Sequence, residues 1–194
     1  KYGPVKQASN CPLCPGGRYA SRTGLTSCPY CPAGTYTKKA NYNTYCSSCP
    51  TGKAAISGSA GCGSCPAGKH AGTRTSCTPC YAGRYAAAGA NACTYCPVGE
   101  YQSLTGQKSC KECPAGTYQS SRGQRSCISC PRGYYTSTIG NGRCVACALG
   151  KYQYYAGKTS CSSCPGGKYA SRTGQYYCAT CASGKVTANV GYSV

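Results

Sequence analysis

Apolar side chains are sparse along the chain and follow no helical period. Phe, Met and Trp are absent from the 194 residues, and no apolar pattern recurs every 3.6 residues. A polar frame of Cys, Pro, Gly and Tyr recurs instead. The stretch CPAGTYQSSRGQRSC, residues 113–127, contains two turn signals and one Tyr but almost nothing to bury. The pattern therefore predicts short β-hairpins between turns, with little or no helix.

The cysteines set the period of the repeat. All 22 belong to Cys-x-x-Cys pairs, and thirteen residues separate one pair from the next in six of the ten gaps. The shorter and longer gaps all lie in the N-terminal half, so the C-terminal half is a regular 17-residue repeat. We divide the chain into a lead-in, residues 1–10, an array of about ten repeats, residues 11–181, and a further repeat start or tail, residues 182–194.

Glycine and proline mark the turns of each unit. A glycine stands three residues after the second cysteine of every pair, and Pro directly follows that cysteine in eight of eleven copies. Pro presets φ and Gly accepts the positive φ that a tight turn requires. Tyr stands two residues after this glycine in eight copies. The turn glycines are Gly17, Gly34, Gly52, Gly68, Gly83, Gly99, Gly116, Gly133, Gly150, Gly167 and Gly184.

The composition requires a covalent constraint. Ordering a chain costs about 1.5 kcal/mol per residue, and the few Ile, Leu and Val side chains do not offset that cost. The 20 Tyr residues keep their hydroxyls at wet edges. Twenty-two cysteines in 194 residues are typical of a disulfide scaffold. Such a scaffold persists in an oxidising compartment, which predicts an extracellular or cell-surface location. No apolar run is long enough for a signal peptide or a membrane span.

The disulfide connectivity is not fixed by sequence alone. We favour joining the second cysteine of each pair to the first cysteine of the next. Each such bond closes a loop of about 15 residues and contributes about 3 kcal/mol in the chain-entropy model. Bonds within a Cys-x-x-Cys are less favoured, because such small rings are typical of reactive sites. The favoured bonds are Cys14–Cys28, Cys31–Cys46, Cys49–Cys62, Cys65–Cys77, Cys80–Cys93, Cys96–Cys110, Cys113–Cys127, Cys130–Cys144, Cys147–Cys161 and Cys164–Cys178, with the partners of Cys11 and Cys181 outside this segment.

The formal net charge is +19, because 21 Lys and Arg oppose only Glu100 and Glu112. Such a charge favours polyanionic partners. Acidic glycan is the better candidate, because an extracellular disulfide protein rarely meets nucleic acid. Asp is also missing, and Asn and Gln share the shapes of Asp and Glu. We hypothesise that some amides stand for acids. If all 13 Asn and Gln did, 15 acids would oppose the 21 cations and the charge would fall to +6.

Catalysis and metal binding are both disfavoured, and no cofactor is expected. The lone histidine, His70, occupies a Tyr position of its repeat, and we interpret it as a packing substitute. With two Glu and no Asp, the usual acid–base and nucleophile groups cannot be assembled. Redox chemistry at Cys-x-x-Cys needs a lowered thiol pKa, usually at a helix N-terminus. Zinc remains the main alternative, since two neighbouring pairs have nearly the spacing of a four-cysteine site. Eleven pairs, however, cannot all combine two by two.

The frame Cys-x-x-Cys-Pro-x-Gly-x-Tyr-x₄-Gly-x₃-Cys resembles the cysteine-rich repeat of ephrin receptors. It is also similar to the first module of tumour necrosis factor receptor repeats, within the broader growth-factor-receptor and EGF-like group. The resemblance covers roughly residues 11–184. It implies extended, disulfide-laddered rods, and it implies a disulfide across each thirteen-residue loop. The departures are Tyr81, Ala148 and Ala182 at the Pro position and Ala54, His70 and Val186 at the Tyr position.

These observations predict a small disulfide-rich fold in which tandem short β-hairpins stack into an elongated rod. Each unit is expected to contact mainly its neighbours. We favour an extracellular structural protein, a stalk, surface filament or matrix fibre, that associates with itself or with other structural proteins. A receptor-type ectodomain that binds a protein ligand is the alternative. The irregular gaps between residues 49 and 93, which include His70, are the candidate ligand patch.

Thiol titration separates the disulfide and zinc interpretations. When the chain is denatured without reductant, the disulfide register predicts nearly no titratable thiol. A four-cysteine zinc array predicts about 22 free thiols, and that result would exclude the ladder.

Overall fold

The computed structural model describes residues 11–39 and 42–187. The lead-in of residues 1–10 and the last seven residues of the tail lie outside the described residues. Within the described ranges there is no helix, and eighteen two-residue strands alternate with turns. The strands are β1 (Thr35–Tyr36), β2 (Ser47–Ser48), β3 (Lys53–Ala54), β4 (Gly63–Ser64), β5 (Lys69–His70), β6 (Thr78–Pro79), β7 (Arg84–Tyr85), β8 (Thr94–Tyr95), β9 (Glu100–Tyr101), β10 (Lys111–Glu112), β11 (Thr117–Tyr118), β12 (Ile128–Ser129), β13 (Tyr134–Tyr135), β14 (Val145–Ala146), β15 (Lys151–Tyr152), β16 (Ser162–Ser163), β17 (Lys168–Tyr169) and β18 (Ala179–Thr180).

Each odd-numbered strand pairs with the strand that follows it, and the result is a row of two-stranded sheets. The pairing is antiparallel, as between β11 and β12, where Thr117 faces Ser129 and Tyr118 faces Ile128. The first strand ends at the repeat Tyr position, which is Ala54 in β3 and His70 in β5, and the second strand consists of the two residues inside a Cys-x-x-Cys. The turn glycine limits the strands at one end and the cysteines at the other, which keeps them short. The prediction of a disulfide-rich hairpin repeat without helix is confirmed.

The interior is built from sulfur and one further side chain per repeat. From Cys31 to Cys164, the second cysteine of every pair is at most 1% exposed. The other buried position directly follows the repeat Tyr, whose own ring is half-buried. Its occupants are small or polar: Thr37, Ala55, Ala71, Ala86, Gln102, Gln119, Thr136, Gln153 and Ala170. Branched aliphatic side chains are missing from the described core, as the composition predicts.

Backbone hydrogen bonds join consecutive loops. For the loop closed by Cys96 and Cys110, the bonds to the next loop are Gly99 N–H to Gln119 C=O (2.8 Å), Gln102 N–H to Gln124 C=O (3.1 Å) and Gly123 N–H to Cys96 C=O (2.9 Å). The same three bonds recur one repeat later. Because buried backbone groups need partners, this set fixes the register of each loop on the next.

The first turn glycine also lies against the loop two repeats further on. A Cβ on Gly133 would overlap the carbonyl oxygen of Gly174, and a Cβ on Gly99 would overlap that of Gly140. All eleven of these glycines have φ between 73° and 83°, so their turns also need the left-handed conformation. The expectation that each unit contacts mainly its neighbours is therefore incomplete. Loops also meet their second neighbours, and at Gly133 and Gly99 the contact is between the backbones of two glycines.

The chain divides into two compact units. The first comprises residues 1–78 and 87–92, and the second comprises residues 79–86 and 93–194. The first unit holds three irregular loops, 31–46, 49–62 and 65–77. The last of these is the shortest, and in it Arg74 takes the positive φ (62°) that glycine takes elsewhere. The second unit holds the five consecutive loops of equal length.

Substituting Gly133 tests the second-neighbour contact. Gly157 has a similar φ of 73°, but a Cβ there meets only ordinary contacts at 3.6 Å, so Gly157→Ala reports the conformational cost alone. We expect Gly157→Ala to cost about 1–2 kcal/mol. Gly133→Ala should cost about 1–3 kcal/mol more, because overpacking adds to that cost. Hydrogen exchange of the disulfide-intact protein measures both, and equal costs would contradict the close contact.

Candidate functional site: the hairpin surface of the disulfide ladder

The ten disulfides join the cysteines in the register favoured from the sequence. They run from Cys14–Cys28 to Cys164–Cys178, and the Cα atoms of each pair are 5.4–5.8 Å apart. These distances suit unstrained disulfides. Within the described residues, Cys11 and Cys181 form no disulfide.

The two sulfurs of each bond differ in their access to solvent. The second cysteine of a pair is buried, whereas the first cysteine of the next pair is half-buried, as Cys113 and Cys127 show. Disulfide exchange requires a thiolate to reach a sulfur. One cysteine of each bond is therefore buried, which suits a structural bond more than a catalytic one.

His70 completes a hairpin. It lies in β5, half-buried, and its Nδ1–H donates a hydrogen bond to the carbonyl oxygen of Thr78 at 3.0 Å. The two acids lie elsewhere, where Glu100 and Glu112 face each other across β9 and β10.

The buried residue after the repeat Tyr was missed by the sequence reasoning. The Gln119 amide donates from Nε2 to the carbonyl oxygen of Ser126 (2.8 Å), and its Oε1 accepts from the Ser121 N–H (3.1 Å). Gln102 and Gln153 bridge their own loops in the same way. An ionised Glu has no donor for the carbonyl oxygen. The hypothesis that amides stand for acids therefore does not extend to these three positions.

Threonine at the same position binds the preceding loop instead. The Thr136 hydroxyl accepts a hydrogen bond from the Gly116 N–H at 2.8 Å, and Thr37 does the same for Gly17. Among the described residues, no buried side-chain nitrogen or oxygen lacks a hydrogen-bond partner. The buried polar side chains are thus all hydrogen-bonded, as a fold without an apolar core requires.

Arginine and tyrosine pair across strands and not along them. Along the chain Arg84 directly precedes Tyr85, and Arg18 directly precedes Tyr19. In the structure the Arg84 guanidinium lies 4.0 Å from the ring centroid of Tyr95, on the opposite strand, and hydrogen-bonds to its hydroxyl. Arg18 stacks on Tyr30 in the same way, also at 4.0 Å. Neighbours along a strand point to opposite faces, so an Arg does not stack on the Tyr beside it. Each guanidinium instead makes a cation–π contact with a Tyr on the opposite strand.

A comparison with sequence families matches four overlapping segments of the chain. The matched family is described as tyrosine-protein kinase ephrin type A/B receptor-like, and the segments are residues 83–126, 105–141, 116–160 and 133–174. They cover the regular loops of the second unit. No curated protein matches the chain. None of the described segments forms a helix with the length and hydropathy that a membrane crossing requires.

Gln119→Glu tests the role of the buried amide. At neutral pH the carboxylate faces the Ser126 carbonyl oxygen without a donor, and we expect a loss of about 1–3 kcal/mol. The buried acid should have a raised pKa, so the lost stability should return as the pH falls and the carboxyl gains a proton. Hydrogen exchange of the 113–127 loop reports the loss. The exposed Gln124→Glu is the control, and equal effects would contradict the assignment.

Proposed function

Because four overlapping segments within residues 83–174 match the ephrin type A/B receptor-like family, we propose that the chain is an extracellular structural protein. Repeats of this family are non-catalytic extracellular modules, and the disulfide content agrees with an oxidising location. The proposed role is that of a stalk, surface filament or matrix fibre. The chain would work by spanning distance and resisting proteolysis, without chemistry of its own.

The uniformity of the ladder is the observation that carries this proposal. From Cys96 to Cys178 every loop has the same length and one disulfide, and each of the four loops from Cys96 to Cys161 makes the same set of backbone hydrogen bonds to the next loop. Ligand sites usually interrupt a repeat with an insertion or a distinctive patch, and these loops have no insertion. Every loop is also short and closed, which leaves proteases little extended backbone to bind.

Exposed tyrosine pairs supply a surface for self-association. Tyr154 and Tyr155 are 46% and 62% exposed, and their rings meet edge-on at 5.1 Å. Tyr176 and Tyr177 form a second such pair, with ring centroids 5.0 Å apart. Tyrosine is enriched at protein interfaces because it offers a large apolar area and a polar tip. These pairs support association with further copies of the chain or with other extracellular structural proteins.

A receptor-type ectodomain is the second candidate, and one feature of the first unit favours it. The longest loop, residues 31–46, breaks the regular repeat and carries Tyr36, Tyr42 and Tyr45. Together with Lys38 these rings line an open groove of about 380 Å³. The rings of Tyr42 and Tyr45 are 86% and 72% exposed. An exposed aromatic cluster of this kind suits a protein ligand.

Electron microscopy of purified native material distinguishes the two candidates. A structural protein should appear as fibres, and it should resist protease until reductant is added. Monodisperse particles that capture one soluble protein, with capture lost on Tyr42→Ser plus Tyr45→Ser, would overturn the structural proposal in favour of the receptor.

A further inference from the structure

The surface carries a groove that recurs between consecutive hairpins. In the first unit it is lined by Tyr36, Lys38, Pro50 and Lys53, together with residues 60–62, and its volume is about 340 Å³. In the second unit an equivalent groove of about 290 Å³ is lined by Tyr135, Ala148, Lys151, Ser160 and neighbouring residues. We call these the Tyr–cation grooves.

The two grooves occupy the same position in the repeat. Each has the Tyr that lies five residues after the second cysteine of one loop. Each also has the residue directly after the next second cysteine, Pro50 or Ala148, and the Lys three residues beyond it, Lys53 or Lys151. The repeat geometry therefore builds the groove, and a cation at one strand position completes it.

In a third groove, the strand position that holds Lys in the first two is occupied by an acid. This groove is lined by Tyr85, Thr94, Tyr95, Pro97 and Arg122 and has a volume of about 380 Å³. The strand position that holds Lys in the other two is Glu100 here, and Glu100 does not line the groove. Arg122 supplies the cation instead. Each of the three grooves thus combines a half-buried Tyr ring with at least one cation and no acid.

From this combination we propose that the Tyr–cation grooves bind an acidic polysaccharide. The apolar face of a sugar ring packs on an aromatic side chain, and its sulfate or carboxylate group pairs with Lys or Arg. Each groove is open to solvent, so a sugar unit within a longer chain can enter it. A positive net charge of +19 attracts any polyanion. Beyond this general attraction, each groove offers a defined binding position for one sugar unit.

The half-buried rings favour a glycan over a nucleic acid. Base stacking uses exposed aromatic faces along a basic channel. In these grooves the repeat Tyr is half-buried against its own hairpin, so only part of each ring is offered. Two of the exposed rings, Tyr30 and Tyr95, are covered by Arg18 and Arg84. This inference goes beyond the structural role, which remains if the binding is absent.

Binding to dextran sulfate, with neutral dextran of equal length as the reference, tests the proposal. We expect dextran sulfate to bind and neutral dextran not to bind. The double variant Lys53→Gln plus Lys151→Gln should weaken binding about tenfold, because each lost cation removes a paired anionic group and its counterion release. The exposed pair Arg22→Gln plus Arg172→Gln removes the same charge outside the grooves and should weaken binding less than about threefold.

A second variant tests the aromatic part of the grooves. Tyr36→Leu plus Tyr135→Leu keeps an apolar side chain and the net charge but removes the aromatic rings. We expect a loss of affinity, and we expect the same loss at high salt because an aromatic contact is not screened. Disulfide mapping checks that each variant is folded. Equal losses in the lysine and arginine variants would show unspecific charge attraction and overturn the proposal. Tighter binding of single-stranded DNA than of dextran sulfate would also overturn it.

Discussion

The buried sulfur of each second cysteine is the interaction on which the rest of the structure depends. These sulfurs occupy the place that branched aliphatic side chains take in an ordinary core, and most are fully excluded from solvent. The disulfide fixes where a loop closes, and the closed loop presents its backbone groups to the next loop. Hydrogen bonds alone would not order so short a hairpin, because two-residue strands do not offset their own conformational entropy. The covalent bond removes much of that entropy from the unfolded chain.

This arrangement leaves the outward side chains free to vary. The turn glycines are fixed by φ and by contact with a second-neighbour loop, as at Gly133. The buried position holds Ala, Thr or Gln in the loops from Thr37 to Ala170. The strand positions that face solvent hold Arg, Thr, Lys, Glu or Tyr without change to the hairpin. A chain of this kind can therefore keep one scaffold and alter its surface. Both the exposed Tyr pairs and the Tyr–cation grooves arise in this way.

The spacing of Cys and Gly was enough to predict the hairpins, the absence of helix and the turn positions, because each depends on residues close in sequence. Two features depend on contacts between repeats and were not predictable in this way. The residue after the repeat Tyr is buried, but Ala, Thr and Gln share no obvious property until Gln119 is seen bridging its loop. Likewise Arg84 directly precedes Tyr85 in the sequence, but its guanidinium lies over the ring of Tyr95 on the paired strand. The contact of Gly133 with Gly174 joins residues two repeats apart, and no local pattern reports it.

Full reduction and alkylation under native solvent conditions, followed by hydrogen exchange, tests the central claim most directly. The N–H of Cys113 donates to the carbonyl oxygen of Gly99 (2.8 Å), and the N–H of Gly116 donates to that of Thr136 (2.9 Å). We predict that both amides lose their protection from hydrogen exchange once the sulfurs are blocked. The equivalent amides of all the remaining loops should lose it as well. Retained protection at these amides in the alkylated chain would show that something other than sulfur–sulfur bonding holds the loops in place.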